Sequence, residues 1–240
     1  MREVELPGGR VIVHGHYGRP VLVFPAERGQ ATEAQDRGLV DAVGELLSAG
    51  RLKLYCVDSH DSASWSADHK PLEDRAKAAE WYDSWIMTTV VPFVAEDCGG
   101  GPVELAATGV SMGALHALNI TLRHAETFVL AACFSGIYDP GDYRGWGERG
   151  MTLYFNNPAD YVPKLSGEHL DWLRSRVSVL LVCGQGQWED TTGALESTRW
   201  MAGQLAAKGL RHELDLWGYD VPHDWPSWRA QWAHHWPRFC

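Results

Sequence analysis

Short, mostly apolar runs alternate with longer stretches of helical period along almost the whole chain, and that alternation leaves few folds open. The runs lie at 10–16, 20–25, 52–58, 103–109, 128–136, 177–184 and 212–218. Most are apolar nearly throughout, as strands covered on both faces are. Helical spacing falls at about 31–48, 72–96, 112–124, 192–208 and 225–236, with Gly50 and Gly209 suited to positions just past helix ends. The expected architecture is α/β, a mostly parallel central sheet with helices on both faces. The 240 residues fit a single domain, since such folds reach this length without splitting. The first run, preceded by EVELPGG, reads as an antiparallel hairpin edge turning at Gly8 and Gly9. Residues 137–168 have no clear period and are rich in glycine, proline and aromatics, so they are expected to form a cap or loop insertion.

Charge narrows the partners. With 31 acidic against 21 basic side chains and no basic stripe, the formal charge of −10 speaks against nucleic acid. No apolar stretch approaches the length of a membrane span and the amino terminus lacks a secretory pattern, so a cytoplasmic location and no membrane partner are expected. The five cysteines form no CxxC pair, and three of them sit in or beside apolar runs, which suits small buried hydrophobes rather than a disulfide framework or a zinc site.

The chemistry is concentrated in ATGVSMGALHA, residues 107–117, where Ser111 lies between Gly109 and Gly113 after a strand and before a helix. Small residues at those two positions permit a strained turn that lifts a hydroxyl above the sheet, and the Met112 amide at the helix start can face a developing oxyanion. A serine is a poor nucleophile alone and needs a base and an acid to orient it. Where a serine occupies such an elbow, the acid and then the histidine follow at the ends of later strands. Glu189 and Asp190 follow the sixth run, and His223 follows the seventh. His60 precedes the serine and fits that order poorly as base, though it is placed to line a pocket. Of the adjacent acids, position favours Asp190, with Glu189 the alternative; Asp190 could instead cap the following helix. Topology assigns the second oxyanion donor to the Ala26 amide, with Glu27 next, because Pro25 has no N–H.

Together with VLVFPAERG, LYCVDSHDSASW, YFNNPADYVPKL and GYDVPHDWPSWR, these segments resemble the esterase family of the α/β-hydrolase fold that is similar to enterochelin esterases and mycolyltransferase-type esterases. The resemblance covers nearly the whole chain. It implies Ser111 as nucleophile, His223 as base and a carboxylate of the GQGQWED loop as their partner. Many relatives carry Gly-x-x-Asp there, whereas Gln187 stands three residues after Gly184, so the acid must come from Glu189 or Asp190 through a longer loop.

The expected activity is hydrolysis of a small carboxylic ester through an acyl-enzyme, with neither metal nor organic cofactor required. Acyl transfer by the same triad and a catalytically silent binding protein are the alternatives. Trp65 and aromatics of 137–168, Tyr154 and Phe155 among them, are expected to line an acyl or aryl pocket. Oligomeric state is left open by the sequence. The five tryptophans Trp217, Trp225, Trp228, Trp232 and Trp236 are expected to pin the histidine loop and last helix.

Overall fold

The computed structural model describes residues 1–240. Eight strands form one sheet: β1 (Arg2–Leu6), β2 (Gly9–His14), β3 (Arg19–Phe24), β4 (Leu52–Val57), β5 (Leu105–Val110), β6 (Phe128–Phe134), β7 (Ser178–Cys183) and β8 (Arg211–Leu216). Their order is β1-β2-β4-β3-β5-β6-β7-β8. β1 and β2 make the antiparallel hairpin edge, β2 also runs antiparallel to β4, and every other pairing is parallel.

Period-two alternation feeds two cores. Along β3, Val21 and Val23 join the layer under α11 (Trp225–His235) and the short helices α1 (Glu33–Asp36), α2 (Leu39–Ala42) and α3 (Gly44–Ser48). Leu22 and Phe24 face the opposite layer, with α4 (Leu72–Trp85), α5 (Val91–Asp97) and α6 (Met112–Arg123). Buried on both faces, these strands need the unbroken apolar runs seen in the sequence.

Two expected helices differ from the sequence pattern. The stretch at 31–48 breaks into α1, α2 and α3, because Gly38 adopts φ 76°, a left-handed conformation that starts a new turn. The stretch at 72–96 stays helical but widens into a π turn at Ile86–Val90, just ahead of Pro92, which has no N–H to give the preceding turn.

Residues 137–168 are largely structured. They contain the 3₁₀ turns Pro140–Asp142 and Val162–Lys164, with α7 (Met151–Asn156) and α8 (Pro158–Tyr161), and end at the start of α9 (Gly167–Arg176). Glu73 on α4 accepts the Thr152 and Leu153 amides, which docks α7. The last strand connection is α10 (Ala194–Ala207). No helix is long and apolar enough to cross a membrane.

The order of strands decides where a site can lie. From β3 the chain crosses to β4, whereas from β5 it proceeds to β6, β7 and β8 on the other side. A crevice therefore opens beyond the carboxyl ends of β3 and β5, the place where ligands enter sheets of this kind. The loops after β7 and β8 end on the same edge.

Candidate active site

Ser111 occupies the sharp turn between β5 and α6 with φ 54° and ψ −119°. Two glycines make that turn possible. A Cβ on Gly109 would stand 2.3 Å from the Gly113 carbonyl carbon, and one on Gly113 would stand 2.5 Å from the carbonyl oxygens of Phe24 and Pro25. The elbow is thus wedged against the end of β3. All five non-glycine residues with positive φ, Arg28, Ser111, Ser135, Arg144 and Trp188, lie in this cleft or beside its acid, where such strain is commonly held by surrounding structure.

Three distant segments meet at the serine. His223 Nε2 lies 3.3 Å from Ser111 Oγ, and His223 Nδ1 lies 2.9 Å from Glu189 Oε2. The first distance is long for a hydrogen bond, as catalytic contacts often are before a substrate arrives. Gly186 N–H donates to the Val221 carbonyl and His223 N–H donates to the Gln187 carbonyl, so the acid loop and histidine loop are sewn together. Asp224 caps α11 through the Ser227 amide, which fixes the histidine just before the helix.

Glu189 is fully buried and satisfied on both oxygens. Oε1 accepts from the Ser135 hydroxyl at 2.5 Å and the Gly184 amide at 3.3 Å, and the Cys183 thiol approaches Oε2 at 3.4 Å. Ser135 in turn accepts from Trp228 Nε1, and the Trp228 ring meets His223 edge-on. Trp228 therefore does what the sequence expected of the carboxyl-terminal tryptophans: it holds the histidine loop.

Asp190 must be replaced by Glu189 as the carboxylate facing the imidazole. Asp190 is exposed, and its Oδ1 accepts from its neighbour's amide, Thr191 N–H. The loop turns Glu189 inward and its neighbour outward, and the extra methylene of a glutamate spans the gap. The positive φ of Trp188, the residue before it, sets that turn.

A second correction concerns the oxyanion side. The Ala26 N–H is already donated to Glu33 Oε2 at 2.7 Å, so it cannot face the cleft. Glu27 N–H has no hydrogen-bond partner and its residue lines the cleft with Ser111. The Met112 amide, first in α6, has no acceptor within its own helix.

The cleft itself, about 390 Å³, is unlike the expected aromatic pocket. Glu27, Arg28, Asp68, Asp142 and Arg144 bring charges to it, and Ser66, Thr191 and Thr192 bring hydroxyls; Ile137 and Tyr143 are its apolar members. Burial near other carboxylates pushes Asp142 above the usual range. Trp65 is packed beneath the cleft beside Met112 and Leu115. His60 stacks on Tyr82 and lies tilted against Trp81, it does not line the cleft with Ser111, and burial lowers its pKa. Tyr154 and Phe155 line a different groove, of about 470 Å³, with Leu122 and Lys164. That groove sits at the far end of the twelve-residue α6, roughly 17 Å from the elbow at 1.5 Å per residue.

Arg75 was not singled out by the sequence. It is fully buried, and its guanidinium donates to the carbonyls of Trp65, Lys70, Tyr143 and Arg144, tying two walls of the cleft together. Nothing in sequence distinguishes it from a surface arginine of an amphipathic helix.

Other chemistry is poorly served. The thiols of Cys133 and Cys183 are pushed well up by burial and that of Cys56 to about 12, so none supplies a ready thiolate. Asp215, His234 and His235 gather within metal-ligand range, but His235 Nδ1 accepts from Arg238, so its Nε2, 3.0 Å from Asp215 and without a hydrogen bond, carries the proton. His235 thus has no lone pair to give, which leaves Asp215 and the exposed His234 as two ligands of an incomplete set.

The fold and this edge-of-sheet elbow define an α/β-hydrolase. Within that class, residues 54–239 match the family described as Putative esterase, and the chain belongs to it. It is similar to the diacylglycerol acyltransferase/mycolyltransferase Ag85A of Mycobacterium gordonae, 24% identical over 200 residues, covering 70% of this chain; it spans only 57% of that relative's length. Among solved structures, a ferulic acid esterase superposes with a TM-score of 0.71 at 16% identity, covering 96% of this chain and 91% of its own. An S-formylglutathione hydrolase from Agrobacterium tumefaciens gives 0.68 at 13% identity, covering 99% and 98%. At these identities the structural likenesses speak to the fold.

Proposed function

We propose that the protein is a serine esterase acting on small, polar carboxylic esters. The observation that carries this reading is the unbroken chain Ser111–His223–Glu189 at the mouth of the cleft. His223 Nε2 takes the Ser111 proton as Oγ attacks the ester carbonyl. The Met112 and Glu27 amides receive the oxyanion, and Glu189 holds Nδ1–H and offsets the charge of the imidazolium. The protonated imidazole then gives its proton to the leaving alcohol, and water repeats the sequence on the acyl-enzyme.

The cleft lining favours hydrolysis over acyl transfer from lipid. A long acyl chain needs a continuous apolar wall, and Ile137 with Tyr143 is too little for one. Charged and hydroxyl groups suit a short acyl group on a hydrogen-bonding alcohol. Such a reading requires neither metal nor organic cofactor.

A fluorophosphonate probe and a chromogenic ester series of increasing acyl length test it. Labelling at Ser111, lost in Ser111→Ala and His223→Ala, and turnover falling beyond short chains are expected. Absence of labelling in the folded wild type would favour a binding protein, and efficient transfer to an added alcohol in place of water would favour an acyltransferase.

A further inference from the structure

The two amides available to an oxyanion belong to different elements, Met112 to α6 and Glu27 to the loop after β3. Their separation must be held to a few tenths of an ångström for both to reach one oxygen. The loop has little regular structure of its own beyond a turn in which Gly29 N–H donates to the Ala26 carbonyl. Something else must fix it.

We propose that Glu33 and Asp61 are positioning residues that set the oxyanion hole by anchoring the amides on either side of Glu27. The Ala26 N–H goes to Glu33 Oε2 at 2.7 Å, and the Arg28 N–H goes to Asp61 Oδ2 at 3.1 Å. The amide between them is left free. Gly29 makes room for the first anchor, because a Cβ there would stand 2.6 Å from Glu33 Oε1.

The second anchor reaches the nucleophile's own helix. Asp61 is fully buried, and its Oδ1 lies 2.8 Å from Nε2 of His116, five residues after Ser111 on α6. The His116 ring stacks on Phe24, the last residue of β3. Arg28 N–H, Asp61 and His116 thus form a strut from the loop to α6, so the two donor amides are spaced by side chains rather than by loop stiffness.

Two carboxylates near a developing negative charge would oppose catalysis if both faced it. Here neither carboxylate lines the cleft, and each already accepts an amide beside Glu27: Arg37 offsets Glu33, and His116 meets Asp61. Burial raises the Glu33 pKa, which agrees with a carboxyl held away from water to serve the backbone.

This inference rests on the esterase reading, and its test separates the two. Glu33→Ala, Glu33→Gln, Asp61→Ala and Asp61→Asn are compared in the full chain. The readouts are kcat and KM for p-nitrophenyl acetate, affinity for a trifluoromethyl ketone whose adduct with Ser111 carries the oxyanion, and amide hydrogen exchange over 25–30. The alanine variants are expected to lose about 10- to 100-fold in kcat with KM within about twofold. They should bind the ketone correspondingly more weakly and exchange faster at Ala26 and Arg28. Glu33→Gln and Asp61→Asn each keep an acceptor oxygen and should recover most of the loss.

Alanine variants with unchanged kcat and ketone affinity would overturn the proposal, as would losses shared in full by the Glu33→Gln and Asp61→Asn substitutions. If the wild type neither turns over ester nor labels at Ser111, the esterase reading has failed, and exchange alone decides the anchoring: unaltered protection in the alanine variants overturns it. Should Asp61→Ala not fold, the Glu33 pair carries the same comparison.

Discussion

The imidazole of His223 stands between two differently built halves of the site. On the acid side, Glu189 is sealed from solvent and meets Ser135, Gly184, Cys183 and His223 through its two oxygens. On the oxyanion side, a surface loop keeps one amide unpartnered while its neighbours are tied down by Glu33 and Asp61. The acid side achieves order by satisfying both carboxylate oxygens; the other achieves it by satisfying the amides on either side of Glu27 and leaving Glu27 and Met112 unpaired. A buried carboxylate cannot tolerate a missing partner, whereas an oxyanion hole works because an amide waits unpaired.

Replacing the acid should be the most damaging way to break that contrast. Glu189→Gln presents an amide where an anion orients the imidazole and offsets its charge, and a fall of about 10⁴-fold in kcat is expected, read by ester turnover. Asp190→Asn should stay within about twofold of wild type. The reverse outcome would return the acid's role to the exposed residue.

Ser135→Ala is expected to act more gently. It removes the hydroxyl linking Trp228 to Glu189 but leaves the Gly184 amide on the same oxygen, so kcat should fall about 10-fold with KM little changed. A loss as large as that of Glu189→Gln would mean that the acid collapses without its serine.

Arg75→Met probes the walls rather than either half. Four carbonyls lose their donor, so a drop of about 5 °C in melting temperature is expected, with the elbow still labelling in the cold. An unchanged melting temperature would show that water replaces the guanidinium readily.

The smallest effect is one of pH. Burial raises the folded-state pKa of Glu33 above its unfolded value. Ionising it therefore disfavours the fold; that cost is absent below the unfolded pKa near 4.5 and complete once pH exceeds the folded value. Glu33→Gln does not ionise, so its melting temperature relative to wild type should rise from pH 4 to pH 7, on the order of 1 °C. A difference that falls over this range would contradict the sign.

The sheet was written plainly in the sequence because both-faced burial demands apolar runs, and β3, β4, β5, β6 and β7 are of that kind. The Ser111 turn was legible for a related reason: only paired small residues allow that backbone crossing, and they are visible as letters. The placing of His223 followed from chain order. Choosing between Glu189 and Asp190 was another matter, since adjacent acids differ only in the direction a loop turns them, and Trp188, with its positive φ, carries no such mark in sequence. Ala26 failed as a donor for a similar reason, because its partner Glu33 comes from the next helix. Tyr154 and Phe155 have the composition of a pocket wall, but α7 packs Leu153 beside Met112 and Leu115 and sends those two rings into the groove with Leu122, toward the far end of α6.

Gly184 and Gly186 lie so close to Val221 that a side chain on either would strike backbone, the nearer approach being 2.1 Å from its oxygen. Base and acid are consequently locked backbone against backbone, so the imidazole cannot turn from Ser111 without dragging the Glu189 loop with it. A bulkier residue at either glycine would push the two loops apart and lengthen the 3.3 Å between Nε2 and Oγ without touching any of the three side chains.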